Sequence, residues 1–206
     1  LGRGVTLPRV LEVVRRIRER SELPLLLFSY YNPLLQHGLE RLAREAKAAG
    51  VDGALVTDLP PEEAGEWIAA ARAVDLDTVF LASPTSPPER LVKVAEASRG
   101  FVYATSVMGV TGTRESTSAA APALVARVRA VTELPVAVGL GVSNGRQAAE
   151  VAGYADGVIV GSAFCRRLLD AGSAPAAGLA AVRALTTELA AGVRAGAELG
   201  TVEPLA

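Results

Sequence analysis

In 206 residues the chain has one cysteine, one histidine, one methionine and one tryptophan. A lone cysteine, Cys165, excludes an internal disulfide. A lone histidine, His37, with no cysteine or serine patterned around it, gives neither a metal-ligand set nor a Ser–His or Cys–His nucleophile, and beside Gly38 it reads as a loop or cap residue. The only lysines, Lys47 and Lys93, fall in helical stretches, so no strand carries an amine for Schiff-base chemistry. Aromatics make up 4 % of the chain, too few for a base-stacking platform. Neither sign of charge dominates. With 21 basic and 22 acidic residues and no block of five or six like charges, a nucleic-acid or membrane-binding arm is excluded. No leader-like start and no unbroken apolar run of membrane-spanning length is present, and together with the single cysteine this points to a reducing, cytoplasmic setting.

What remains is an alanine- and valine-rich chain, half apolar, suited to close packing of helices on a sheet. Short β-rich apolar runs recur at 25–28, 54–56, 79–81, 101–103, 136–138 and 158–160. Their spacing is that of β/α units, and hydrophobicity without alternation predicts parallel strands covered on both faces. The intervals read as helices. Val10, Val13, Val14 and Ile17 form a stripe opened by Pro8; Leu39, Leu42, Ala43 and Ala46 form another closed by Gly50. Ser86 and Glu89 make a capping box, and Trp67 with Ile68 reads as helix-to-sheet core. Leu179, Val182, Leu185 and Leu189 predict a final outer helix, approached through the small residues 171–177, and Cys165 reads as a packing residue at a helix start. No linker divides the chain, so a single domain over 1–206 is expected.

Six strands preceded by an orphan helix fit two parallel architectures, an open doubly wound sheet and an incomplete eight-stranded barrel. The barrel is the favoured reading: a TIM (β/α)8 barrel lacking its first strand, first helix and second strand, with six parallel strands and flanking helices. The chain starts at Leu1 rather than methionine, which fits a piece of a longer protein.

In either architecture the functional surface is at the C-terminal ends of the strands. There the sequence places Gly139 and Gly141 after one run and Gly161 and Ser162 after the last. Glycines with open backbone N–H groups at the start of a helix are what a phosphate site requires. Hydrogen bonds to a charged group are worth about 1.5–3 kcal/mol each, so three or four such donors hold a dianion without a lysine. The stretch "VYATSVMGVTGTREST" at 102–117 is a strand running into a long glycine- and threonine-rich loop, a candidate lid in which Gly112 adds one more N–H. Asp58, after the second run, is either a group facing the site or the N-cap of the helix at Pro60 and Pro61.

The motifs "SYYNP" at 29–33, "TDLPPEE" at 57–63, "GVTGTR" at 109–114, "GLGVSN" at 139–144 and "GVIVGSA" at 157–163 together resemble the tryptophan synthase alpha subunit family, in order and spacing. The resemblance implies a TIM barrel that cleaves indole-3-glycerol phosphate to indole and glyceraldehyde 3-phosphate. It implies an alpha2beta2 heterotetramer with a beta subunit that alone carries pyridoxal phosphate, so no cofactor and no metal is expected here. By position, Gly112, Gly141, Gly161 and Ser162 would bind phosphate, with Phe28, Tyr30 and Leu140 around the indole ring. Tyr103 would sit beside the reacting glycerol carbon, Thr111 would anchor the lid, and Asn32 and Pro60 would face the beta subunit. The family's two acid/base carboxylates precede the equivalent of Leu1, so the 206 residues alone are expected to be inactive. Other expectations consistent with the residues are a non-catalytic, phosphate-binding allosteric partner of a beta subunit, or another phosphate-binding barrel such as a pentose-phosphate epimerase.

Overall fold

The structure, a computed structural model, describes residues 4–105, 120–139 and 141–200. The chain divides into two compact units, residues 1–81 with 89–102, and residues 82–88 with 103–206.

The first unit contains α1 (Leu7–Arg18), β1 (Leu26–Ser29), α2 (Tyr31–His37), α3 (Leu39–Ala49), β2 (Gly53–Val56), a 3-10 turn at Pro61–Glu63, α4 (Gly65–Arg72), β3 (Asp77–Val79) and most of α5 (Pro88–Ala97). Its sheet runs β1-β2-β3 with parallel pairing, Leu26 opposite Gly53 and Gly53 opposite Asp77. Pro8 lies in the first turn of α1, where a missing N–H removes no helical bond. The buried face of α1 is Leu11 and Val14; Val13 and Ile17, expected in the same stripe, are half and two-fifths exposed. Helical spacing sets 11 and 14 on the face packed against α3 and rotates 13 and 17 away from it. Gly50 closes α3 in the left-handed region (φ 93°), and a Cβ there would also come within 2.9 Å of Arg18 Cγ. Trp67, Leu42, Leu11 and Leu76 are all but inaccessible, so Trp67 is core as expected.

The expectation of strands covered on both faces holds for β2, which is buried throughout; in β1 only Leu27 is buried. The third expected strand is broken at Phe80. Its first half, β3, pairs with β2, whereas β4 (Leu81–Ala82) starts a second sheet. Phe80 has its own packing and bonding: the ring is buried and the N–H donates to Ser98 Oγ at 3.3 Å. Among the described residues, seven strand segments therefore stand where six strands were expected.

The second unit contains β5 (Val102–Thr105) from Tyr103 onward, α6 (Ala120–Arg129), β6 (Val136–Gly139), α7 (Gly145–Ala152), β7 (Gly157–Ile159), α8 (Ser162–Asp170) and α9 (Pro175–Gly200). The second sheet runs β4-β5-β6-β7, with β6 and β7 parallel and Gly139 opposite Ile159. Burial alternates along β5 and β6 rather than covering both faces. The final helix begins inside the stretch read as its approach, and of its expected stripe Leu185 and Leu189 are buried while Leu179 is half exposed. By length and composition α9 could cross a membrane, but it packs on α7 and α8 and carries Arg183, Glu188 and Arg194. The approach to α7 is backbone on backbone: a Cβ on Gly192 would meet Gly145 O at 2.1 Å, and one on Gly196 would meet Ala149 O at 2.0 Å.

Each unit contains the same clasp between a helix end and two strand entries. At the end of α1, the Arg18 guanidinium donates to Gly50 O and Asp52 Oδ2, both at 2.6 Å, and the same carboxylate oxygen accepts Leu25 N–H at 2.7 Å. At the end of α6, Arg129 donates to Tyr154 O (3.0 Å) and Asp156 Oδ1 (2.8 Å), while Asp156 Oδ2 accepts Val136 N–H at 2.8 Å. The sequences match: Arg-x-x-Ser-Glu-Leu-Pro-Leu at 18–25, Arg-x-x-Thr-Glu-Leu-Pro-Val at 129–136, and Asp-Gly at both 52–53 and 156–157. The Leu25 N–H and the Arg18 guanidinium together hold the Asp52 carboxyl below the usual carboxylate range, against a smaller opposing cost of burial.

Candidate active site

In the second unit β6 and β7 end opposite each other, at Gly139 and Ile159, and β5, next to β6 in the sheet, ends at Thr105. Tyr103, on β5, places its phenol against Gly139: a Cβ on that glycine would lie 2.0 Å from Tyr103 Oη and 2.6 Å from Cε2 and Cζ. The glycine is thus the room the phenol occupies. Burial pushes the Tyr103 phenol above its ordinary value, so at neutral pH it is an uncharged hydroxyl able to donate.

Two further features stand at this end. Gly141 follows β6 with φ 69°, a conformation that side chains rarely adopt. Gly161 is the N-cap of α8 and Ser162 its first residue; among the described residues no side chain caps that end, and both residues are exposed. The first N–H groups of a helix lack intrahelical acceptors, and the dipole there favours negative charge. Among the described residues the space beside Gly141 and Gly161 is open, because a Cβ on either would meet none of their atoms within 4 Å. The N-terminus of α7 differs. Asn144 Oδ1 accepts Gln147 N–H (3.0 Å), Gln147 Oε1 accepts from Ser143 N (2.9 Å) and Oγ (3.1 Å), and Glu188 Oε1 on α9 accepts Gly145 N–H (2.8 Å). Of these two helix starts, one is filled by side chains and the other has no side-chain cap among the described residues.

The structure thus brings Tyr103, Gly139, Gly141, Gly161 and Ser162 to one end of one unit. Thr111, Gly112 and Leu140 lie outside the described residues. Phe28, Tyr30, Asn32 and Pro60 belong to the first unit, Phe28 on β1, Tyr30 at the N-cap of α2, Asn32 within α2 and Pro60 at the start of the 3-10 turn. Phe28 and Tyr30 are each 67 % exposed. Asp58 does not cap the turn at Pro60, as anticipated; its Oδ1 accepts Tyr31 N–H at 2.6 Å and serves the start of α2 instead. His37 ends α2 and pairs with Glu45 Oε2 at 2.7 Å; hydrogen bonds from Arg41 and then His37 hold the Glu45 carboxyl below its ordinary range. Cys165 is not a packing residue but exposed, since α8 contributes no buried side chain. The sequence reading missed Gln147 and Glu188. Asn144 followed three residues later by Gln147 is a cap signature; for Glu188, remote in sequence, no local signal exists.

Among the described residues no cluster of His, Cys, Asp and Glu could hold a metal ion. Parallel strands whose C-terminal ends present a left-handed glycine and a helix start define the class: parallel β/α proteins, whose functional surface lies at the strand ends. The sequence profile of the tryptophan synthase alpha chain matches residues 1–194. The alpha chain of Nocardia farcinica is 53 % identical over 191 residues, covering 93 % of this chain and 69 % of that relative. Among solved structures, tryptophan synthase from M. tuberculosis, in an open form with BRD0059 bound, superposes with a TM-score of 0.82 at 46 % identity, over 93 % of this chain and 70 % of that one. A Pyrococcus furiosus chain, from a study of mutual activation in the a2b2 complex of tryptophan synthase, gives 0.82 at 37 % identity, over 91 % and 75 % of the two chains. The chain belongs to the tryptophan synthase alpha chain family, lyases of tryptophan biosynthesis. Its fold class is accordingly the TIM barrel, in agreement with the parallel strand pairs of both sheets.

Proposed function

We propose that this chain holds indole-3-glycerol phosphate for cleavage to indole and glyceraldehyde 3-phosphate, binding the phosphate between the Gly141 turn and the start of α8. The observation that carries the reading is the space beside Gly141 and Gly161 that the described residues leave open, next to a helix N-terminus that none of their side chains caps. Ser162 offers a hydroxyl as well as an N–H, and Gly112 of the 109–114 motif adds a further N–H donor. By resemblance to the family, the Tyr103 hydroxyl serves the glycerol portion, Thr111 anchors the lid, and Phe28, Tyr30 and Leu140 belong to the indole pocket. The proton transfers of the retro-aldol step need positioned carboxylates. By resemblance these stand upstream of Leu1, so the 206 residues form a binding portion of a barrel in which six parallel strands follow two others, one domain in all. Asn32, which is exposed, and Pro60 face a beta subunit in an alpha2beta2 assembly. Pyridoxal phosphate belongs to that partner, and the setting is the cytoplasm.

The test is calorimetric titration of the chain with glycerol 3-phosphate, beside Gly161→Ala. A Cβ at 161 meets no atom of the described residues within 4 Å, so the variant is expected to keep its fold while the methyl enters the anion's space. Loss of binding by about tenfold or more is expected, in line with removal of at least one charge-assisted hydrogen bond. Equal affinity in the two proteins would refute the placement.

A further inference from the structure

We propose that Glu188, on the last helix, is a positioning residue for the phosphate site: it locks the Gly141–Gly145 turn and fills the start of α7, leaving the start of α8 as the site's anion-binding helix end. The proposal rests on the reading of Gly141 and α8 given above and deepens it.

Glu188 Oε1 accepts the N–H of Gly145, the first residue of α7, at 2.8 Å. Gly145 cannot be other than glycine without disturbing this: a Cβ there would come 2.8 Å from Glu188 O and 3.2 Å from its Cγ. The contact is therefore built from both sides. Four residues further along α9, Gly192 brings its backbone against Gly145 O, and Gly196 does the same at Ala149, so α9 cannot slide along α7 without a clash. The same helix reaches α8, where a Cβ on Gly178 would stand 3.1 Å from Ala171 Cβ and 3.5 Å from Leu168 Cδ2. One helix thus packs on the start of α7 and on the last turn of α8.

From Gly145 the fixation passes back through the turn. Asn144 is tied to Gln147 N, and Ser143 is tied through both its N–H and its hydroxyl to Gln147 Oε1. Gly141 lies two residues before Ser143. The Glu188 carboxylate also satisfies one orphan N–H at α7 and places a negative charge at the positive end of its dipole, which makes that end a poor second seat for phosphate. The α8 start, without a side-chain cap, is the one left for phosphate.

The experiment compares the wild-type chain, Glu188→Ala, Glu188→Gln and Gln147→Ala by titration with inorganic phosphate and with glycerol 3-phosphate, well below the melting temperature of each. The amide oxygen that Glu188→Gln introduces can still accept from Gly145, so this variant is expected to bind like wild type. Glu188→Ala and Gln147→Ala are expected to bind each ligand ~5-fold more weakly, the size of effect usual for a residue acting through a packed network. A merely structural role would lower the melting temperature of Glu188→Ala and leave its affinity unchanged, and that result overturns the proposal. Tighter binding by Glu188→Ala, which would make the carboxylate a repulsive charge rather than a brace, overturns it as well. Equal weakening in Glu188→Gln and Glu188→Ala does so too, since geometry would then not be what matters. If wild type itself binds neither ligand, the fault lies with the phosphate site and not with the brace.

Discussion

Replacing Gly139 by alanine tests how the end of β6 and the Tyr103 phenol share one space. The added methyl carbon would stand 2.0 Å from Tyr103 Oη and 2.6 Å from two ring carbons, well inside van der Waals contact, so the ring has to retreat by more than about 1 Å. Tyr103 sits in a strand whose neighbours Val102 and Ala104 are fully buried, so the backbone has little freedom to follow. Overpacking of this kind costs about 1–3 kcal/mol, which in a chain of this size lowers the melting temperature by roughly 2–10 °C. The steric origin predicts more than a loss: in Tyr103→Ala the obstacle is gone, and Gly139→Ala on that background should cost less than on wild type by about 1–2 kcal/mol. Tyr103→Phe should relieve only part of the clash, because Cζ and Cε2 remain. A double-mutant cycle by denaturant unfolding measures the coupling. Additivity of Gly139→Ala and Tyr103→Ala within ~0.5 kcal/mol would refute the reasoning.

Asp58→Ala should destabilise the start of α2 by about 1 kcal/mol, with Asp58→Asn close to wild type, as for a residue that accepts Tyr31 N–H; chemical unfolding reads the difference. Because the folded Asp52 carboxyl titrates below its unfolded value, its contribution to stability is present above the unfolded value and is lost as pH falls through the folded one, near and below roughly pH 4. The acid limb of stability against pH should therefore be shallower in Asp52→Asn, and an unchanged limb would contradict the clasp. Gly192→Ala sets a methyl against backbone rather than against a side-chain tip, so it should cost at least as much as Gly139→Ala, on the order of 3 kcal/mol, measured by thermal unfolding.

Much of the architecture could be read from the chain. Runs of Val, Leu and Ala at β/α spacing located the strands of the described residues, though not the break that divides the third, and Pro8 and Gly50 marked helix ends where they occur. The break at Phe80 was not legible, because it depends on a hydrogen bond to Ser98, a partner 18 residues away. Asp58 was misread for a related reason: a carboxylate beside two prolines has a local use, and the acceptor role it fills lies 27 residues back at Tyr31. The double clasp did leave a trace, the repeated Arg-x-x-Ser/Thr-Glu-Leu-Pro, but its meaning appears only when the Asp52 and Asp156 carboxylates are in place. At the candidate site, glycines were the informative residues because a missing side chain is itself a geometric statement. Gly141 and Gly161 were legible next to strand ends, whereas Gly192 and Gly196 were hidden in an alanine-rich helix. Glu188 shows the limit of local reading, since its function depends wholly on where α9 packs.

The most direct test of the account is to follow the backbone amide resonances of the chain while glycerol 3-phosphate is added. The account predicts that the amides of Gly141, Gly161, Ser162 and Ala163 shift together with a single dissociation constant. Shifts confined to other residues, with these four unmoved at saturation, would contradict it.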